Sequence, residues 1–250
     1  MPLSPALALS IAGLSQTPPW STGPRAAIDW VAATGYRSIQ LDATMAGLRP
    51  RELDRSARRD VASILRRLGL CLSGLDLWIP QHHFLDQTAR AVSAVESTIE
   101  LAADWRTAAG NGSPVLSLTF PADLEAAVRH QLAAFADKHG VPIADHAVQD
   151  ELPKPVEAAI GAGVDPALII KAGKDVLRTV ARIRGGPLSA RLSDWNGFRR
   201  VVSGKGRLDL LAYSAALSVA GYRRAVVVDL RDLDDPTQAA AESLKAWPSI

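Results

Sequence analysis

With Cys71 as its only cysteine, the chain can form no internal disulfide. The apolar, strand-like run around Cys71 leads us to expect a buried thiol rather than a nucleophile. Aromatic residues are scarce, 5% against 48% hydrophobic in all. That balance suits Ala-rich helices packed around Val, Leu and Ile strands better than a β-sandwich. Neither charge dominates: 28 basic and 26 acidic side chains leave a formal +2. No overall field then exists to hold a polyanion, so nucleic acid is not an expected partner. No run approaches the roughly twenty apolar residues that span a bilayer, so no membrane partner is expected either. Met1 to Leu14 is as apolar as a secretion signal, but no Lys or Arg precedes Arg25, and Pro5 and Gly13 break the run. Cytoplasm is the expected compartment. No Gly-x-Gly-x-x-Gly follows the first strand and no Gly-Lys-Ser/Thr loop occurs, so dinucleotide and P-loop sites lack their phosphate cradle.

What the chain does contain is a regular alternation of short β-type runs with longer helical patterns, the imprint of a parallel sheet covered by helices. The strand candidates are Leu7–Ala12, Ser38–Asp42, Cys71–Leu77, Val115–Phe120, Val141–Asp145, Ala158–Asp165, Leu188–Ser193 and Ala225–Asp229. Helical patterns fall at about 24–34, 52–68, 87–105, 122–138, 151–157, 167–183, 208–220 and 236–246. Asp165-Pro166 and Asp235-Pro236 each read as an N-cap followed by proline at the first helical position. The basic stretch Arg51 to Arg67 is interleaved with Leu53, Val61, Leu65 and Leu68, the pattern of one amphipathic helix with a solvated outer face. Eight βα units over residues 1–250, with no linker to divide them, predict a single-domain α/β protein closed as a (β/α)8 barrel. Periodicity leaves one assignment open, because Ala167 to Lys171 also reads as a buried strand.

In such a barrel the mouth is built at the carboxyl ends of the strands. Asp42, Asp76, Asp145, Asp165, Asp194 and Asp229 stand there, as do His82, His83 and His146 and the indoles of Trp78 and Trp195. Converging carboxylates repel one another unless a divalent cation or arginines neutralise them. Each Asp also has a plainer reading as a helix cap or turn residue, each His as a surface loop residue, and each Trp as part of the core rim.

The most specific stretches are Arg191-Leu192-Ser193-Asp194-Trp195-Asn196-Gly197, then Arg199 to Leu210 with its Gly204-Lys205-Gly206-Arg207 turn, then Gly221-Tyr222 and Val226-Val227-Val228-Asp229. They resemble the motif succession of the sugar phosphate isomerase/epimerase group within the xylose-isomerase-like TIM barrels, tightly over about the last quarter of the chain and in rhythm elsewhere. The resemblance implies one Mn²⁺, Mg²⁺, Co²⁺ or Zn²⁺ held by Glu, Asp, His and Glu on strands five to eight. Those positions read here as Asp145, Asp165, Arg191 and Asp229. It also places strand six at Ala158–Asp165, since Val164 to Leu168 is similar to the family's Leu-Asp-x-Gly-His turn, with Leu168 in place of the histidine.

The implied chemistry is proton transfer beside a carbonyl on a small sugar or sugar phosphate, with Asp145 and Asp229 as the acid–base pair. Asp145, Asp165 and Asp229 would be the metal ligands, and Arg191, Asp194, Arg200, Arg207, His83, His146 and Trp78 the substrate contacts. Arg191 departs from the pattern, because a guanidinium stays protonated and offers no lone pair to a cation. It can instead bridge Asp165 or Asp229 and fill the metal's place. Two readings therefore stand: a sugar isomerase or epimerase, or a metal-free barrel that binds a carbohydrate or anion without turnover. An endonuclease IV-like role is disfavoured, for the chain has neither the histidine set nor a basic groove. Oligomeric state is left open, a homo-oligomer included.

Overall fold

The computed structural model describes residues 4–14, 20–106, 113–148 and 159–248. Eight parallel strands close into a barrel: β1 (Leu7–Ser10), β2 (Ser38–Asp42), β3 (Cys71–Asp76), β4 (Val115–Leu118), β5 (Ile143–Asp145), β6 (Ile160–Val164), β7 (Ser189–Leu192) and, after a two-stranded ribbon, β10 (Val226–Val228). β1 pairs with both β2 and β10, so no barrel edge is left unpaired. The expected barrel is thus observed, with most strands ending one or two residues inside the sequence bounds. Among the described residues no helix is long and apolar enough to cross a membrane.

The helices around the barrel follow their sequence signals. Arg55–Arg67 (α2) starts at Asp54, whose carboxylate accepts from the Ala57 amide, and it turns Val61, Ala62 and Leu65 to the core while Arg55, Arg59, Arg66 and Arg67 are exposed. Pro166–Lys171 (α6) is capped by Asp165 and Pro236–Ala246 (α9) by Asp235, each with proline in the first turn. Ala167 to Lys171 is accordingly helix and not strand. The single helix expected over 167–183 is instead two, α6 and Val176–Arg182 (α7), parted by Gly173 at a φ of 72°. The helix expected at 151–157 and the first residue of the expected sixth strand, Ala158, lie outside the described residues.

Cys71 corrects an expectation. It is exposed, because it opens β3 at the amino-terminal rim, where the apolar run begins but the barrel does not yet cover it.

Register determines which side chains enter the barrel, since residues paired across parallel strands share a face. The pairs Asp76↔Ser117 and Ser117↔Ala144 put Asp76, Ser117 and Ala144 on one face, and Leu118↔Asp145 puts Leu118 and Asp145 on the other. The first face is the interior. There the Ser10 hydroxyl donates to Gln40, the Gln40 amide to Ser117, and the Ser117 hydroxyl to Ser189, a hydrogen-bonded chain across the barrel that satisfies its buried polar groups.

Candidate functional site

Above that polar layer, three carboxylates and three guanidiniums meet at the mouth. Arg191, on β7 and 4% exposed in its side chain, donates to Asp76 Oδ2 at 2.6 Å and to Asp165 Oδ2 at 3.2 Å, with Asp229 Oδ2 at 4.0 Å from its Nε. Arg200 spans Asp165 and Asp229 at 2.8 Å each. Arg231 grips Asp229 through Nε at 2.9 Å and Nη2 at 2.6 Å, and reaches Asp76 at 3.4 Å. The remaining capacity of Asp165 is taken by the Ser193 hydroxyl at 2.6 Å and the Leu168 amide at 3.3 Å. Charges in this set balance to zero, which is how six ionised groups can share so little water.

The electrostatics follow from the pairing. Burial alone pushes the Asp165 carboxyl up, but the Arg200 and Arg191 guanidiniums outweigh it and hold the pKa down at about 2. For Asp229 burial is likewise overcome by Arg231, Arg200 and Arg191, which keep it well below the ordinary carboxylate range. Asp42, at the end of β2, goes the other way: burial raises its pKa despite hydrogen bonds from the Thr44 amide and hydroxyl.

Local structure holds the guanidiniums in place. The Tyr213 hydroxyl, on helix Leu210–Val219 (α8), donates to the Arg191 carbonyl at 3.0 Å and pins β7 from behind. Arg200 stands on the antiparallel ribbon of β8 (Asp194–Trp195) and β9 (Arg200–Val201), turned by Asn196, whose side-chain oxygen accepts from the Phe198 and Arg199 amides. Asp194 is fully buried and accepts from the amides of Trp195, Gly204, Gly206, Arg207 and Leu208. It ties the loop after the ribbon to the barrel and has no room for a ligand. The Arg207 side chain is exposed beside Gly197, apart from these ion pairs.

The sequence-derived candidates separate accordingly. Asp165, Arg191, Arg200 and Asp229 come together. Asp145 does not join them: it lies on the outer face of β5, accepts from the Phe120 and Ala147 amides at 3.2 and 3.0 Å, and faces Arg129 of helix Ala126–His139 (α5) at 3.5 Å. Burial raises its pKa. Asp145 and Asp229 therefore do not look onto a common space. The inner-face residue at the end of the fifth strand is His146, fully buried, with both ring nitrogens unpartnered. Its ring lies on Gly163, where an added Cβ would come within 2.6–2.7 Å of three ring atoms. Burial first and Arg191 second depress its pKa well below 6.5, so the imidazole is neutral.

A cleft of about 320 Å³ opens beside Arg191 and Arg231, lined also by Asp76, Trp78, Gln81 and His82. Trp78 is 65% exposed, its indole standing over the opening. His83 is half-buried at the start of the short helix His83–Asp86 (α3), edge-on to His82 at 4.4 Å. Sequence reasoning missed Arg231. It lies in the turn just beyond β10, where its amide also donates to Asp229.

The donor set does not fit a divalent ion. Both oxygens of Asp165 and of Asp229 are engaged by guanidiniums, hydroxyl or amides, and three cationic side chains surround the position a metal would take. Among the described residues no three His, Cys, Asp or Glu side chains are grouped to hold one.

The sequence matches no protein-family model and no curated protein. Solved structures do match in fold. A xylose isomerase domain protein from Planctomyces limnophilus superposes with a TM-score of 0.74 at 15% identity, over 98% of this chain and 95% of that one. A D-allulose 3-epimerase from Methylomonas sp. in complex with D-allulose gives 0.69 at 16%, covering 98% and 97%. A sugar phosphate isomerase/epimerase from Parabacteroides distasonis gives 0.67 at 11%, covering 97% and 93%. The chain thus shares the (β/α)8 barrel fold of these proteins.

Proposed function

We propose that the barrel mouth binds a small sugar or sugar phosphate, and that it does so without a divalent ion. The observation carrying this reading is the buried Arg191 guanidinium, joined to Asp76 and Asp165 in the place where the resemblance calls for a metal-binding imidazole. A fixed cation with its planar N–H donors orients hydroxyl or carbonyl oxygens as a metal would, although it cannot activate a water. Trp78 offers an apolar face for a sugar ring, and Gln81, His82 and Thr119 offer hydrogen bonds at the cleft wall. Binding without turnover is the form favoured by Asp145 facing Arg129 and by Asp229 being held ionised by three guanidiniums.

A second reading, turnover as an isomerase or epimerase, is favoured by the barrels this chain resembles, one of them an epimerase holding D-allulose. One experiment separates the readings. Chelator-treated protein is titrated with Mn²⁺, Mg²⁺, Co²⁺ and Zn²⁺ by thermal unfolding, then with a panel of ketoses, aldoses and their phosphates by calorimetry, and the sugars are assayed for deuterium uptake from D₂O. We expect no rise in Tm with any ion, binding of at least one sugar, and no exchange. A metal at 100 times its Kd would add about 2.7 kcal/mol of stability, a rise in Tm too large to miss, and would overturn the metal-free site. Exchange without metal would select turnover.

A further inference from the structure

Among the described residues, His146 is the one fully buried side chain at the mouth whose polar atoms have no partner. Such a group costs stability in the ligand-free protein and marks a place where a partner arrives. The ring is seated with care: its face covers Gly163, and any larger residue at 163 would displace it. Beside it lies a chamber of about 30 Å³, whose lining includes the charged side chains of Asp145, Asp165 and Lys174 besides His146, Thr179 and Ile169. That volume holds one water-sized group. Arg191 lines the large cleft and Asp165 lines the chamber, and a 3.2 Å ion pair joins the two side chains.

We propose that His146 and this chamber form a hydroxyl-binding subsite, in which the imidazole pairs with one hydroxyl of the molecule held at the mouth and so selects the configuration of the carbon bearing it. The assignment rests on the reading of the mouth as a sugar site. A neutral imidazole offers one donor and one acceptor, and a hydroxyl both donates and accepts. A carboxylate or phosphate group would leave the acceptor nitrogen unmatched and would exceed the chamber's volume. Hydrogen-bonding sites of this kind discriminate strongly, because a ligand lacking the hydroxyl leaves the buried partner unsatisfied.

The test pairs His146→Leu and His146→Gln with sugars that lack one hydroxyl each. Wild type and variants are titrated with D-fructose, D-allulose, D-xylose, D-ribose and fructose 6-phosphate, and with the monodeoxy analogues of whichever binds. We expect His146→Leu to melt at the same or a higher temperature than wild type while binding the sugar about tenfold more weakly, the loss of one hydrogen bond. His146→Gln, which keeps a donor and an acceptor, should recover part of that affinity. One deoxy analogue should bind wild type about tenfold more weakly than the parent sugar and bind His146→Leu no more weakly than the parent does. If every deoxy analogue loses the same factor in wild type and His146→Leu, the subsite is wrong while the sugar site stands. A His146→Leu protein that melts lower and binds every sugar as wild type does would make the imidazole structural and likewise overturn the assignment. Should no sugar in the panel bind wild type, the parent reading fails and this one falls with it.

Discussion

Replacing Arg191 with Met keeps most of the side-chain volume and deletes the charge at the centre of the network. Wild-type Arg191 makes contacts of 2.6 and 3.2 Å to Asp76 and Asp165. Both carboxylates are almost wholly buried, and removing one partner of such a pair typically costs about 3–5 kcal/mol, because the remaining charge is left uncompensated. In a chain of this size each kcal/mol shifts Tm by roughly 2–4 °C, so Arg191→Met should melt roughly 6–20 °C lower at pH 7. Circular dichroism melts and urea titrations measure this directly. The pH dependence supplies the stricter check. Asp165 titrates at about 2 in the folded wild type against an ordinary 3.8, so its ionised form contributes stability above 3.8 that is lost as pH falls toward 2. Without Arg191 that depression weakens, the variant has less to lose, and the gap between the two proteins should narrow between pH 4 and pH 2. A loss under about 1 kcal/mol at pH 7, or a gap that widens with acid, would refute the view that this guanidinium holds the mouth together.

Two further outcomes follow from buried polar groups outside that pair. Asp194→Ala removes the acceptor for five backbone amides and should cost about 2–4 kcal/mol, with hydrogen exchange of the Gly204, Gly206, Arg207 and Leu208 amides accelerated far more than that of the barrel strands. The folded state keeps His146 neutral while the unfolded chain binds a proton below pH 6.5, so stability should fall with acid from pH 6.5 downward, by about 1.4 kcal/mol per pH unit from this group, and His146→Leu should flatten that slope in urea titrations at pH 7 and 5.5.

The barrel was legible because its signals are local. Alternation of period, Asp-Pro starts and turn residues lie within a few positions of one another, and together they located seven of the strands, while the sixth was placed by the resemblance. What local pattern does not carry is register. The apolar run at Cys71 showed a strand but not that its first residue sits on an uncovered rim. Asp145 and His146 are adjacent, and the alternation of a strand sends one inward and one outward. Which goes where is decided by the pairing Ser117↔Ala144, a contact across 27 positions that no window of sequence contains. The ribbon carrying Arg200 has strands of two residues each, too short to leave any period.

Register also explains why the site is more consistent than its sequence reading. Taken alone, Arg191 among Asp145, Asp165 and Asp229 leaves two negative charges unanswered, a poor arrangement for buried groups. On the inner face Asp145 is replaced by Asp76, which keeps three carboxylates, while Arg200 and Arg231 join Arg191. Those two additional guanidiniums bring two positive charges, the same charge as a divalent ion, and bring them attached to the ribbon and to the turn after the last strand. Arg191 is therefore one part of a network in which covalently held cations do the neutralising. A network of that kind cannot be emptied by a chelator, and replacing Arg191 alone with histidine would leave Arg200 and Arg231 still occupying Asp165 and Asp229.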